Sequence, residues 1–210
     1  MKIRTSHQQK YIPVHKISLP QPLVSNLPAF HALTGCDTVS QFLGISKSSA
    51  WKVYQTNWFC LDGLGKEPLS EETLRGAEKF VCKLYSPATT IDSINLLHHK
   101  LFLKGKKNPE YLPPSSNALY FHIRRAHYQT LIWLTSTTPT VSLPVPSEYG
   151  WQKDETSQTL QPTLMTKDAV PKQCVDIVFC HCKSCVTANC GCQSKGLRCT
   201  GSCSCSDRVR

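Results

Sequence analysis

Apolar positions along the chain recur mostly at helical spacing. Between Glu71 and Leu84, the residues Leu74, Ala77, Val81 and Leu84 repeat about every 3.6 positions. Ser70 precedes the run where an N-cap belongs, and Glu71 and Glu72 suit the positive end of a helix dipole. Ser115 to Leu134 predicts the longest helix, with Leu119, Ile123, Ala126, Thr130 and Trp133 on an apolar stripe and Arg124 and Arg125 off it. A first helix is expected to begin near Pro28 and run through AFHALT to Gly35. Another covers Lys47 to Tyr54 with Ser46 as its cap, and Thr90 with Asp92 opens a short one through Leu97. Lys100, Lys104, Lys106 and Lys107 then form a basic exit.

Two stretches lack this period. KYIPVHKI alternates apolar and polar residues as a short strand would, before a turn expected at Pro20 and Pro22. Pro139, Pro144 and Pro146 interrupt regular structure, and Tyr149 to Met165, which carries Trp151, suits a loose hairpin or linker. The pattern predicts a mainly α chain: a remnant strand and turn over 1–24, a helical domain over 25–136, a proline-rich linker or hairpin over 137–173 and a small irregular module over 174–208.

Charge and cysteine usage add chemistry to this outline. A net charge of +10 over 210 residues attracts phosphate backbones, although charge alone selects no particular partner. Met1 to Lys10 has no apolar signal region, so the expectation is an intracellular, reducing location with no membrane partner. There, twelve cysteines suit metal better than disulfides, and nine of them crowd between Cys174 and Cys205.

The crowded stretch follows the pattern C-x-C-x2-C-x4-C-x-C-x6-C-x3-C-x-C, formed by Cys180, Cys182, Cys185, Cys190, Cys192, Cys199, Cys203 and Cys205. Thiolates one residue apart rarely bridge each other, but they readily contact one ion or two neighbouring ions. Zinc takes four tetrahedral ligands, so these eight satisfy two ions outright, and shared thiolates accommodate more. Cys174 is a candidate ninth ligand, while His181, set among better-spaced thiolates, is more naturally solvent-facing. Gly191, Gly196 and Gly201 permit tight reversals between ligand groups. So short a segment has little apolar core, hence metal is expected to supply most of its folding energy. A disulfide knot, a reactive thiol cluster and a plain metal buffer are the alternatives.

The repeated C-x-C pairs, the interval from Cys192 to Cys199 and the final C-x3-C-x-C resemble the tesmin-type CXC domain of nuclear DNA-binding and chromatin proteins. That resemblance implies a shared-thiolate zinc cluster laid against DNA. The chain departs from the family in a shorter Cys182–Cys185 interval, in Arg208 at the last cysteine and in Asn189 at a characteristic tyrosine. The expectation is therefore attraction to the DNA backbone through Lys183, Lys195, Arg198, Arg208 and Arg210, residues that also read as ordinary solvated surface.

FHALTGCDTVSQFLGISKSSAWKVY, Phe30 to Tyr54, joins two apolar helices through a Gly-Cys-Asp turn and a Gly-Ile-Ser-Lys turn. It resembles the helix-two-turn-helix region of flap endonuclease and related PIN-like nucleases. The resemblance implies Asp37 as a catalytic-metal ligand and Gly44, Ile45, Ser46 and Lys47 as a phosphate-facing turn. Metal-dependent phosphodiester cleavage needs several carboxylates in one place, and residues 1–36 contain none. The expected state is a truncated, non-catalytic PIN-like remnant, in which Asp37 also reads as a cap of its own turn beside Thr38.

Together with PPSSNALYFHIRRAHYQTLIW, the YGW segment and the cysteine cluster, this motif also looks like transposon-associated animal proteins. The leading expectation is a zinc-binding, non-catalytic nuclear DNA-binding protein of transposon origin. The alternatives are a zinc-stabilised protein-interaction scaffold and a residual metal-dependent structure-specific nuclease. No G-x-S-x-G, Walker-type or H-E-x-x-H motif occurs, so no small-molecule substrate is evident. His98, His99, His122 and His127 share no helix face and read as structural, and Cys36, Cys60 and Cys82 as small buried residues.

Overall fold

The computed structural model describes residues 2–4, 9–11, 13–104, 108–167, 180–182, 190–192, 194 and 203. The chain is mainly helical and divides into two compact units, Met1–Leu164 and Met165–Arg210. In the first unit, β1 (Lys2–Arg4) pairs antiparallel with β2 (Gln9–Tyr11), Lys2 standing opposite Tyr11. The turn expected at Pro20 and Pro22 is instead the start of α1 (Gln21–Ser25), because proline at the first turn of a helix leaves no hydrogen bond unmade.

The helices that follow begin at polar caps. After α2 (Leu27–Leu33), which ends at Thr34 and Gly35, Ser46 Oγ accepts the Ser49 amide at the head of α3 (Lys47–Asn57). Ser70 does the same for Thr73 in α4 (Glu71–Tyr85), and Ser115 for Ala118 in α6 (Ser116–Thr135). α5 (Ile94–Leu103) starts and ends later than Thr90 and Asp92 suggest. Its first amide, Ile94 N, donates to Glu78 Oε1 of α4 at 2.8 Å, so a tertiary contact replaces a local cap. Among the described residues no helix is long and apolar enough to cross a membrane.

The core gathers α2, α3, α4 and α6 around a cluster of rings. Phe30 stacks on Tyr54 at 4.6 Å, and Phe80 meets Tyr54 edge-on at 6.4 Å. Tyr54 is fully buried, its hydroxyl donates to Leu23 O at 2.6 Å, and burial pushes its phenol up to about 12. α4 passes the 3₁₀ turn Trp58–Leu61 so closely that a Cβ at Gly76 would lie 2.6 Å from the Cys60 carbonyl oxygen. That approach accounts for a glycine inside a helix, where it costs about 1 kcal/mol against alanine.

α6 differs from its expected pattern on one face. Arg125, expected off the apolar stripe, is only 4% exposed, and its Nη1 donates to Gly150 O at 3.2 Å and to Thr163 O at 2.5 Å. These carbonyls flank the hairpin of β3 (Trp151–Lys153) and β4 (Leu160–Pro162), so the segment after Pro146 packs on the helix and buries a second side of it. The hairpin expected around Trp151 is present; periodicity within α6 alone could not register the surface it covers.

Two buried histidines on α6 have structural partners. His122 Nε2–H donates to Leu33 O at 2.8 Å, at the end of α2, and burial depresses its pKa to about 4. His127 Nδ1 accepts the Gly65 amide at 3.1 Å, which places its proton on Nε2, 2.8 Å from Glu67 Oε1. The Tyr149 hydroxyl donates to the same carboxylate at 2.8 Å. Burial alone would raise the Glu67 pKa, but these two hydrogen bonds outweigh it and hold the carboxyl below its ordinary value.

His122 makes stability depend on pH in a defined window. The unfolded chain takes up its proton below the ordinary value of 6.5, whereas the folded chain resists until about 4. The contribution is thus complete above pH 6.5 and falls by about 3 kcal/mol as pH drops towards 4. Replacing His122 with Gln should flatten the stability–pH slope in that window by about one proton, measured by urea unfolding across pH. An unchanged slope would exclude His122 as the responsible group.

Candidate metal centre

In the second unit, the described residues that pack together are cysteines. Cys180, Cys190 and Cys192 are buried, with Cys182 and Cys203 half-buried against them. Burial of a few thiols removes too little apolar surface from water to offset the ordering of the backbone around them. A turn sets part of the arrangement: Ser194 N donates to Cys190 O at 2.9 Å and Ser194 Oγ to Gly191 O at 3.1 Å. Gly191 does not serve this turn as a forced glycine, since a Cβ there would meet Cys180 Cβ at an ordinary 3.8 Å.

The sulfur positions fit a tetrahedral cation. The Sγ atoms of Cys180, Cys190 and Cys192 all lie within 4.8 Å of one another. Cys180 and Cys190 are 3.7 Å apart, as are Cys192 and Cys203. A metal–sulfur bond of about 2.3 Å in tetrahedral geometry places neighbouring sulfurs about 3.8 Å apart. Cys180 and Cys182 are closer, at 3.1 Å, yet still far outside the roughly 2.05 Å of a disulfide. Burial first, and then the adjacent Cys203 and Cys180 sulfurs, push the Cys192 thiol up to about 12. A bound dication reverses this preference, because a coordinated thiol is deprotonated outright.

Of the eight cysteines expected as ligands, with Cys174 a candidate ninth, five are therefore brought together: Cys180, Cys182, Cys190, Cys192 and Cys203. Cys174, Cys185, Cys199 and Cys205 lie outside the described residues, as do Lys183, Lys195, Arg198, Arg208 and Arg210. His181 is exposed. In the first unit, Cys60 and Cys82 are buried and Cys36 is half-buried, its sulfur 3.4 Å from Thr38 Oγ1.

The residues of the two-turn hairpin have contacts that its sequence did not reveal. Lys47 Nζ donates to His31 O at 2.6 Å and to Thr34 Oγ1 at 2.7 Å, capping the C-terminal end of α2 with a cation. Burial lowers its pKa. Gly44 has a φ of +75°, and a Cβ there would lie 2.8 Å from Tyr111 Cδ1, so the ring covers the turn. Ile45 packs against the core and Ser46 caps α3.

Asp37 is exposed; burial and then Lys47 lower the His31 pKa, and the Asp37 charge opposes them without reversing the shift. Among the described residues it belongs to no group of three metal-ligating side chains. The adjacent Thr38, not Asp37, ties the turn to α6, donating to Gln129 Oε1 at 2.6 Å. The sequence reading also missed the Glu67–His127–Tyr149 cluster and buried Arg125, because their partners are remote in the chain. Comparison with protein-family models, curated proteins and solved structures finds no match.

Cys190 sits within reach of sulfur from two directions and is fully buried, so Cys190→Ser should lower tightly bound metal in the purified chain. Cys36→Ser, in the other unit, should leave it unchanged. Elemental analysis after gel filtration reads the difference, and equal metal content in both variants would refute the assignment.

Proposed function

We propose that the chain is a zinc-binding, non-catalytic DNA-binding protein of transposon descent, acting in the nucleus. The observation that carries this reading is the set of five converging sulfurs, with spacings close to the edge of a zinc–thiolate tetrahedron. Thiolate-rich, oxygen-poor donor sets favour zinc over magnesium or calcium. Five sulfurs exceed the needs of one four-coordinate ion, which agrees with the eight-cysteine pattern and shared thiolates.

In this reading zinc orders the backbone, and Lys183, Lys195, Arg198 and Arg208 provide the attraction to phosphate that the net charge of +10 suggests. The two-turn hairpin is a PIN-like remnant with a structural job. Its Lys47 is committed to α2 and its Gly44 lies under Tyr111, an arrangement that suits a folded scaffold better than a phosphate cradle. The same observation favours the second reading, a zinc-stabilised interaction scaffold.

Duplex DNA separates the two. Fluorescence anisotropy of the zinc-loaded chain should show binding whose logarithm falls linearly with the logarithm of salt concentration. Exchanging both Lys195 and Arg198 for glutamate should weaken it about tenfold or more and reduce the slope by about 0.9 for each lost phosphate contact. Unaltered affinity in that variant, or no binding at low salt, favours the scaffold.

A further inference from the structure

Beside Arg125 an open cavity of about 320 Å³ lies within the helical unit. Phe42, Tyr85, Leu112 and Leu119 give it apolar walls, and Arg125 and His122 supply polar groups. Arg125 is 4% exposed and forms no ion pair among the described residues. Glu110 also lines the cavity but is not within ion-pair distance of the guanidinium.

The hydrogen bonds of Arg125 are confined to one nitrogen. Nη1 holds the Gly150 and Thr163 carbonyls, which leaves the Nε–H and Nη2 donors without a protein acceptor among the described residues. No buried side-chain nitrogen there lacks a partner, so Nε and Nη2 reach water, and the cavity provides the opening. A buried cation without a counter-charge costs several kcal/mol. Two carbonyls could be held by a neutral amide at no such cost, so the charge exceeds what anchoring the hairpin requires.

The free edge has a specific chemistry. Nε–H and one Nη2–H of a guanidinium point the same way and accept a planar oxyanion through two parallel bonds. His122, neutral and committed to Leu33 O, adds no second positive charge, and Glu110 repels a dianion about twice as strongly as a monoanion at the same distance. We propose that the cavity binds a small amphipathic carboxylate, its two oxygens on the Nε–Nη2 edge of Arg125 and its apolar body against Phe42, Tyr85 and Leu119. This site is independent of the metal centre and of any DNA contact.

Titrating the full chain with 3-phenylpropionate, with its neutral amide and with inorganic phosphate, followed by calorimetry and by the Arg125 Nε–H proton resonance, tests the proposal. The acid should bind saturably, shift that resonance, and exceed both the amide and phosphate by about tenfold or more. Arg125→Lys should abolish the preference for acid over amide. Because that change also disturbs the hairpin, Ala118→Leu provides a second arm: Ala118 lines the cavity on α6, and the larger side chain should block the acid while leaving the thermal midpoint close to that of the parent. Equal binding of acid and amide, phosphate binding as tight as the acid, no saturable binding, or acid binding that survives Ala118→Leu would each overturn the assignment.

Discussion

Loop backbone that becomes buried must find hydrogen-bond partners away from water, and in the helical unit three side chains of α6 provide them. His122 takes the Leu33 carbonyl at the end of α2, Arg125 the Gly150 and Thr163 carbonyls around the hairpin, and His127 the Gly65 amide before α4. Each bond contributes about 1 kcal/mol net, but a buried carbonyl or amide deprived of its partner costs about 1–3 kcal/mol. One rigid helix thus locates a helix end and two irregular segments at once. Glu67 and Tyr149 extend the scheme, since both join the loop before α4 and the segment before β3 to His127.

The cysteine unit is stabilised on a different principle. Where the helical unit buries stacked rings and aliphatic side chains, the described residues of the second unit bury sulfur. Thiols so close to one another and so shielded from water resist ionisation, as Cys192 illustrates, until a cation compensates their charge. In a unit of this kind a bound metal would make folding and metal capture one equilibrium, sensitive to chelators and to pH.

Lys47 shows how one motif accommodates two uses of the same charge. Placed after a glycine turn at a helix start, a lysine suits phosphate; placed within reach of the preceding helix's last turn, it caps the His31 carbonyl and the Thr34 hydroxyl there. The second use holds α2 and α3 in their hairpin and also sets the ammonium 5.6 Å from the centre of the Phe30 ring. Gly44 likewise meets a steric demand, the approach of Tyr111, that is independent of any ligand.

Local chemistry was legible in the chain: serine caps before α3 and α4, the apolar stripe of α6, the hairpin near Trp151 and the convergence of thiols spaced one residue apart. These depend on neighbours within a few positions, where caps, periodicity and ligand spacing act. The amide of Glu78's partner Ile94, the burial of Arg125 and the commitment of Lys47 were decided only in three dimensions. In each, a charged side chain meets backbone 16 to 38 residues away, and a long polar side chain looks the same in sequence whether it ends in water or in the interior. Only the packing of a second element over it excludes the water and assigns its partner.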